Sequence, residues 1–65
     1  MKASYNVDTA PWAIGYVCTF FVDGFINYDV PGSDNTGCKI YDSREKAEAA
    51  GKRYLKRMQK NGFEV

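Results

Sequence analysis

The clearest pattern in the chain is an amphipathic repeat between Ser43 and Gly62. Small and apolar residues recur there at spacings of three and four, while basic residues occupy the opposite side of the same helical projection. This pattern predicts one helix that buries a narrow stripe and leaves a charged face in water. Because half of the stripe is alanine or glycine, the helix should approach its neighbour closely. The stripe consists of Ala47, Ala50, Gly51, Tyr54, Leu55 and Met58.

Capping residues stand at both ends of the predicted helix. Asp42 or Ser43 can accept hydrogen bonds from the first helical amides, and Asp42 with Glu45 has the spacing of a capping box. Asn61 and Gly62 both tolerate the left-handed conformation that ends many helices. The helix is therefore predicted to stop there, with the following residue folded back onto its last turn.

Alternation with a period of two predicts strands before the helix. A long strand is predicted from Trp12 to Val22 and a second from Phe25 to Val30, joined by a two-residue turn of Asp23 and Gly24. After a loop rich in glycine and polar residues, a short third strand is predicted from Cys38 to Tyr41. The tight turn fixes the register of the hairpin. The predicted pairs are Val22 with Phe25, Phe21 with Ile26, Thr19 with Tyr28 and Val17 with Val30.

These elements predict an α+β fold, a three-stranded antiparallel β-meander packed against one C-terminal α-helix in the order β-β-β-α. Residues 1–65 are expected to form a single small domain, in which residues 1–11 make a loosely ordered N-terminal arm without sustained periodicity. No run approaches the roughly 18 apolar residues that span a bilayer, and no signal-peptide pattern opens the chain. We therefore expect a cytoplasmic protein with no membrane partner.

Two cysteines, Cys18 and Cys38, leave two possibilities open. In a reducing compartment such residues are usually small buried hydrophobes. If the first and third predicted strands are neighbours, however, the two thiols come close enough to form a disulfide under oxidising conditions.

The predicted hairpin carries large apolar side chains on both faces, whereas one helix covers a single face. The pattern does not decide which face stays open, and residues 1–10 offer a possible cover through Tyr5 and Val7. An uncovered aromatic face is typical of a protein interface. The open face presents either Phe21, Ile26 and Tyr28 or a second set. That second set, Trp12, Tyr16, Phe20 and Phe25, is our predicted partner-binding site.

No catalytic pattern is present in the sequence. The chain has no histidine, its cysteines lack the spacing of a zinc site, and it has no glycine-rich phosphate loop. We therefore expect no enzymatic activity, no metal and no cofactor. The expected function is protein binding by a small accessory inhibitor or adaptor of the kind encoded by phages and mobile elements, which blocks a partner sterically or pairs with itself as a homodimer.

Nucleic-acid binding is the alternative, because the basic charge is concentrated in one segment. Residues 1–42 contain two basic and five acidic residues, whereas residues 43–65 contain seven basic and three acidic ones. A basic helical face can neutralise several phosphates, although it also keeps an amphipathic helix in solution. The predicted nucleic-acid contacts are Lys52, Arg53, Lys56, Arg57 and Lys60.

The segment Tyr41-Asp42-Ser43-Arg44-Glu45-Lys46-Ala47 resembles the strand-to-helix junction of phage integrase arm-binding domains and their plant DNA-binding counterparts. The resemblance implies three strands and a helix, with basic strand residues inserted into a DNA groove. Here the predicted strands offer only Lys39 and carry Asp29, with Asp23 in the hairpin turn. The DNA-binding role of those domains is therefore not carried over to this chain.

Overall fold

A computed structural model describes residues 1–30 and 39–65 of the chain. It contains the strands β1 (Ala3–Thr9), β2 (Tyr16–Val22) and β3 (Phe25–Ile26), followed by the helix α1 (Arg44–Lys60). The strands form one antiparallel sheet in the order β1-β2-β3, and α1 packs against β1 and β2. The predicted α+β class and the β-β-β-α order are confirmed.

The first strand is formed by residues that the sequence predicted as a loose arm. β1 pairs with β2 along its whole length, from Ala3 opposite Val22 to Thr9 opposite Tyr16. The prediction of a loosely ordered arm in residues 1–11 does not hold for Ala3–Thr9, whose apolar residues are few but alternate with polar ones. Their alternation with polar residues becomes decisive only when β2 supplies a partner.

The second strand is shorter than predicted. The stretch from Trp12 to Gly15 belongs to the connection between β1 and β2, which is closed by a 2.9 Å hydrogen bond from the Ala10 N–H to the Gly15 carbonyl. Gly15 has a φ of 141°, and a Cβ at this position would lie 2.7 Å from the Tyr41 carbonyl oxygen. The prediction failed here because the apolar alternation continues into the connection.

The hairpin turn between β2 and β3 forms as predicted. Asp23 and Gly24 both have positive φ, 52° and 84°, as a type I′ turn requires. The predicted pairs of Val22 with Phe25 and Phe21 with Ile26 are confirmed. β3 nevertheless ends at Ile26, so the two predicted pairs beyond it are absent from the described sheet.

The predicted third strand is represented in the described residues by a single bridge. The Tyr41 N–H donates to the Tyr16 carbonyl at 2.8 Å, and the Tyr16 N–H donates to the Tyr41 carbonyl at 2.8 Å. Lys39 and Ile40 are not part of a strand. Cys38 lies outside the described residues, so the predicted thiol pair does as well.

Both ends of α1 are capped. Ser43 caps the start, because its Oγ accepts from the Lys46 N–H at 3.2 Å, whereas the Asp42 carboxylate pairs with the Lys46 side chain at 3.0 Å. At the other end the Gly62 N–H donates to Gln59 and the Phe63 N–H donates to Met58, each at 3.1 Å. This pair of bonds with Gly62 at a φ of 90° is a Schellman motif.

The helix covers the sheet face formed by Ala3, Tyr5 and Val7 of β1 and by Cys18, Phe20 and Val22 of β2. Gly51 allows the close approach, since a Cβ there would collide with the Tyr5 ring. The Phe20 and Tyr54 rings pack with their centroids 4.7 Å apart. Five of the six residues of the predicted stripe are buried, and Leu55 is half-buried.

Candidate protein-binding surface

Asn27 ends β3 and builds the turn beside it. Its N–H donates to the Phe20 carbonyl at 2.8 Å, and its side-chain Oδ1 accepts from the Asp29 N–H at 3.1 Å. Its carbonyl also accepts from the Val30 N–H at 3.2 Å. A side chain that bonds the main chain two residues onward favours a turn over a strand. The turn displays the intervening Tyr28 in solvent.

A buried hydroxyl ties this turn to the helix. Tyr54, which is buried in α1, donates from its hydroxyl to the Phe21 carbonyl at 2.9 Å and accepts from the Asn27 amide at 3.1 Å. A Tyr hydroxyl can donate once and accept as well, so both roles are used here. The turn that carries Tyr28 is therefore held by β2 and α1 together.

An open groove of about 570 Å³ lies between this turn, the hairpin and the end of α1. Its more buried lining is mostly apolar, with Val22, Met58 and Phe63 beside the half-buried Asn27. Phe25 and Tyr28 also line the groove and remain 78% and 72% exposed. Two large rings beside an apolar cleft form the kind of surface that captures apolar side chains of another protein. We call this region the hairpin groove.

A basic flank adjoins the hairpin groove. Arg57 lines the groove, and its guanidinium carbon lies 6.0 Å from the centroid of the Tyr54 ring. Arg57, Arg53 and Lys39 line a second cleft with Phe20 and Tyr54. In the part of the chain that the structure describes, the only ion pair joins Asp42 and Lys46. No described carboxylate forms an ion pair with this flank, although the exposed Asp29 also lines the hairpin groove.

The four aromatic residues predicted as the binding site are not brought together. Phe20 is only 9% exposed and packs in the core, so its predicted role as an exposed anchor was wrong. Tyr16 is half-buried beneath the Arg44 guanidinium, 5.2 Å from its ring centroid. Trp12 is 53% exposed, but it precedes β2, whereas Phe25 follows it. Phe25 alone of the four lies in the hairpin groove.

The sheet face opposite the helix is less apolar than the sequence suggested. β1 contributes Ser4, Asn6 and Asp8 to this face, and Phe21 and Ile26 are half-buried on it. The prediction of a broad aromatic face rested on two strands and did not include the polar side of β1. The exposed rings are concentrated instead at the ends of β2.

The five basic helix residues predicted to contact nucleic acid are all exposed. Arg53, Lys56, Arg57 and Lys60 line one shallow cleft, whereas Lys52 lines another with Arg44 and Glu48. The predicted set therefore divides between two sides of the helix, and the Lys52 side includes carboxylates.

Two titratable side chains near the helix-facing core have raised pKa values. Burial, with a smaller effect of the negative charge of Glu48, raises the pKa of Cys18 to about 11. The Tyr5 hydroxyl donates to Glu48 at 2.7 Å, which together with burial raises the pKa of Tyr5. Within residues 1–30 and 39–65, no group of three or more potential metal ligands is found.

Comparisons with protein families, curated proteins and solved structures find no match to this chain. Among the described residues, no helix combines the length and apolar character needed to cross a membrane. The geometry of the hairpin groove and its basic flank is therefore the basis for the functional proposal.

Proposed function

We propose that this protein is a small non-enzymatic binding module that attaches to another protein through the hairpin groove. The observation that carries the proposal is the pair of exposed rings, Phe25 and Tyr28, beside an apolar cleft. Exposed aromatic side chains held in a fixed position bury a large area on binding and lose little conformational freedom.

The chemistry of the groove defines the partner. Its apolar lining suits one or two large apolar side chains, and Arg57 and Arg53 beside it suit acidic residues next to those side chains. A protein segment that combines acidic and bulky apolar residues fits both features. Arginine is well suited to such a border because its planar guanidinium can pair with carboxylates and also lie against rings.

The mode of action that fits an exposed binding groove is occupation of a partner's surface. We place the protein among small accessory inhibitors or adaptors, of the kind encoded by phages and mobile elements, that act in the cytoplasm by steric blockade. No histidine is available as a general base, which agrees with a binding role.

Matched affinity captures from the native host test this proposal. The wild-type protein, Phe25→Ala and Ile14→Ala would be immobilised separately, and a protein retained by the wild type would then be purified for titration. Ile14 is a suitable control because it is fully exposed and precedes β2, away from the hairpin groove. We expect Phe25→Ala to weaken the partner's affinity by about tenfold or more, and Ile14→Ala to leave it unchanged.

Equal affinities for the two variants would contradict the groove as the binding site. Circular dichroism of each variant would show that the fold is retained, since both substitutions are at exposed positions. Retention of nucleic acid in place of protein would favour the second candidate function.

That second candidate is nucleic-acid binding by the basic side of α1. The specific observation in its favour is that Arg53, Lys56, Arg57 and Lys60 share one cleft without a described carboxylate partner. Such a stripe neutralises phosphates whatever the base sequence. The aromatic groove has no evident role in this alternative, which is why we rank it second.

A further inference from the structure

The main chain of β1 faces β2 only at alternate residues. The Asp23 N–H donates to the Lys2 carbonyl at 2.7 Å, and the Ala10 N–H donates to the Gly15 carbonyl at 2.9 Å. Lys2 and Ala10 are both even-numbered. Along an antiparallel strand, the N–H and C=O groups of successive residues point alternately toward the two sides of the strand. The N–H and C=O groups of the odd-numbered residues therefore point to the outer edge of the sheet.

Part of this outer edge is already occupied. The Ala3 N–H donates to the Glu64 carbonyl at 2.7 Å, so the chain itself pairs with the beginning of β1. From Tyr5 to Thr9, no described backbone group pairs with the outward-facing groups. The one exception in this stretch is local, a 2.8 Å bond from the Thr9 N–H to the Asp8 carboxylate. The open stretch is centred on Val7.

The open stretch has little of the usual protection of an edge strand. It contains no proline and no lysine, the strand has no bulge along its pairing with β2, and its one charged residue is Asp8. Natural sheets usually block long unpaired edges by such devices, because an open edge pairs with other strands. A five-residue edge with a single charge is therefore suited to pairing with another chain whose side chains accommodate Asp8.

We propose that the outer edge of β1 pairs with the same edge of a second copy of this chain, antiparallel and about a two-fold axis through Val7. Tyr5 then lies opposite Thr9 of the second copy, and Val7 lies opposite Val7. The product is a continuous sheet with three strands from each copy. Because a two-fold contact uses the same patch twice, the patch must be complementary to itself.

The solvent-facing side chains meet this condition. On the face opposite the helix, the two-fold axis places Asn6 against Asp8 of the second copy, so that an amide can donate to a carboxylate at two symmetric positions. Forming the sheet gives the Thr9 N–H a new acceptor, the Tyr5 carbonyl of the second copy. The Asp8 carboxylate is then released from Thr9 and can accept from Asn6.

The helix layer is complementary in the same register. Glu48 lies at the level of Tyr5, whose hydroxyl it binds, and Arg44 lies over Tyr16, which pairs with Thr9. The two-fold axis places Tyr5 of one copy opposite Thr9 of the other. Glu48 of each copy therefore lies level with Arg44 of the other, so opposite charges approach each other in the helix layer.

The neighbouring register is less suitable. Moving the axis by one residue, to Asn6, makes Ala3 pair with Thr9 of the second copy, although the Ala3 N–H already binds Glu64. That register also places Asn6 against Asn6 and leaves Asp8 without its amide partner. The bond to Glu64 thus disfavours the axis at Asn6.

This interface is independent of the proposed function. β1 and β3 form opposite edges of the sheet, so the hairpin groove stays open when two β1 strands pair. Failure of the groove proposal would leave the dimer proposal untouched, and the reverse also holds.

Two opposite substitutions at one exposed residue test the pairing. Sedimentation equilibrium would be measured from about 10 µM to 1 mM for the wild type, Asn6→Asp and Asn6→Lys. We expect a concentration-dependent dimer whose dissociation constant rises about tenfold in Asn6→Asp, where two carboxylates oppose each other, and falls in Asn6→Lys. A wild type that stays monomeric throughout, or variants that shift in the same direction, would overturn the proposal.

A backbone measurement locates the interface without changing a side chain. Amide hydrogen exchange of the full chain would be followed by NMR at low and high concentration. The N–H groups of Tyr5, Val7 and Thr9 should exchange more slowly at high concentration, while the protection of even-numbered residues, already paired with β2, stays the same. Dimerisation without added protection at Val7 would show that the interface lies elsewhere and would refute the proposal.

Discussion

Burial gives the Cys18 thiol a structural role. The residue is 4% exposed on the helix-facing side of β2, and burial raises its pKa from 9.0 to about 11. Since the thiolate is the reactive form, the thiol should be nearly inert at neutral pH. This agrees with the expectation of a small buried hydrophobe at this position.

Thiol labelling and stability should both show this raised pKa. In a Cys38→Ser variant at pH 8, we expect Cys18 to react with a disulfide reagent about 100-fold more slowly in the folded than in the unfolded chain. Because the pKa of Cys18 is higher in the folded chain, the folded state binds the thiol proton more tightly than the unfolded state. The resulting contribution to the free energy of unfolding is complete below pH 9 and is lost as the pH rises toward 11. Urea unfolding at several pH values measures this loss.

The matched control for the pH series is Cys18→Ala in the same Cys38→Ser background. This control should lose less stability between pH 8 and pH 11, and its remaining loss would include Tyr5, whose pKa is raised in the same direction. Equal labelling rates in the folded and unfolded chains would contradict the buried position of the thiol.

At the scale of elements, the distance between α1 and β1 depends on Gly51. A Cβ at this position would collide with the Tyr5 ring, which its hydrogen bond to Glu48 also holds in place. Alanine normally favours a helix over glycine by about 1 kcal/mol. Close packing reverses that preference here, because neither the ring nor the helix backbone can move without losing other contacts.

We therefore expect Gly51→Ala to lower the free energy of unfolding by about 1–2 kcal/mol, the net of overpacking and helix propensity. Chemical denaturation measures the change. In a Tyr5→Val background the ring is absent, so Gly51→Ala should become stabilising by about 1 kcal/mol. If Gly51→Ala stabilises the chain with Tyr5 present, the close approach of α1 to β1 is incorrect.

The sequence predicted α1 and the hairpin turn well because their signals are local. The buried stripe, Ser43 as one of two candidate caps and the glycine at the helix end depend on neighbours within one or two turns. Asp23 and Gly24 likewise determine their own turn. β1 was missed because its register and its burial depend on β2, which is distant along the chain.

The binding surface was only partly predictable for the same reason. Of the predicted binding residues, Phe25 is exposed in the hairpin groove, whereas Phe20 lies in the core beneath α1. Only the placement of α1 separates the two. The exposure of Tyr28 follows from the Asn27 turn. The asparagine was the available signal, because its side chain favours turns, but the alternation of apolar residues was given more weight.

At the scale of the whole molecule, the charges are separated between helix and hairpin. The helix carries most of the basic residues, whereas Asp23 and Asp29 flank β3. A uniform polyanion is attracted to one region of this surface and repelled by the other. An acidic partner of limited size can instead contact the basic flank alone.

DNA binding should consequently be weak at physiological salt. We expect fluorescence anisotropy with short single-stranded and duplex DNA to give dissociation constants weaker than about 100 µM at 150 mM salt, tightening as the salt is lowered. Lys56→Ala should reduce the salt dependence, and Phe25→Ala should not. A dissociation constant below about 1 µM at 150 mM salt that Lys56→Ala weakens would make nucleic acid the preferred function.

The hydroxyl of Tyr54 has a consequence for how this surface can evolve. It holds the Asn27 turn from inside the core, yet a partner on the hairpin groove would never touch it. Replacing Tyr54 with phenylalanine would keep the packing and remove one of the hydrogen bonds that hold the adjacent turn, which allows Tyr28 to shift. Specificity for a new target can therefore arise from a substitution hidden beneath the recognition surface, with every contacting residue unchanged.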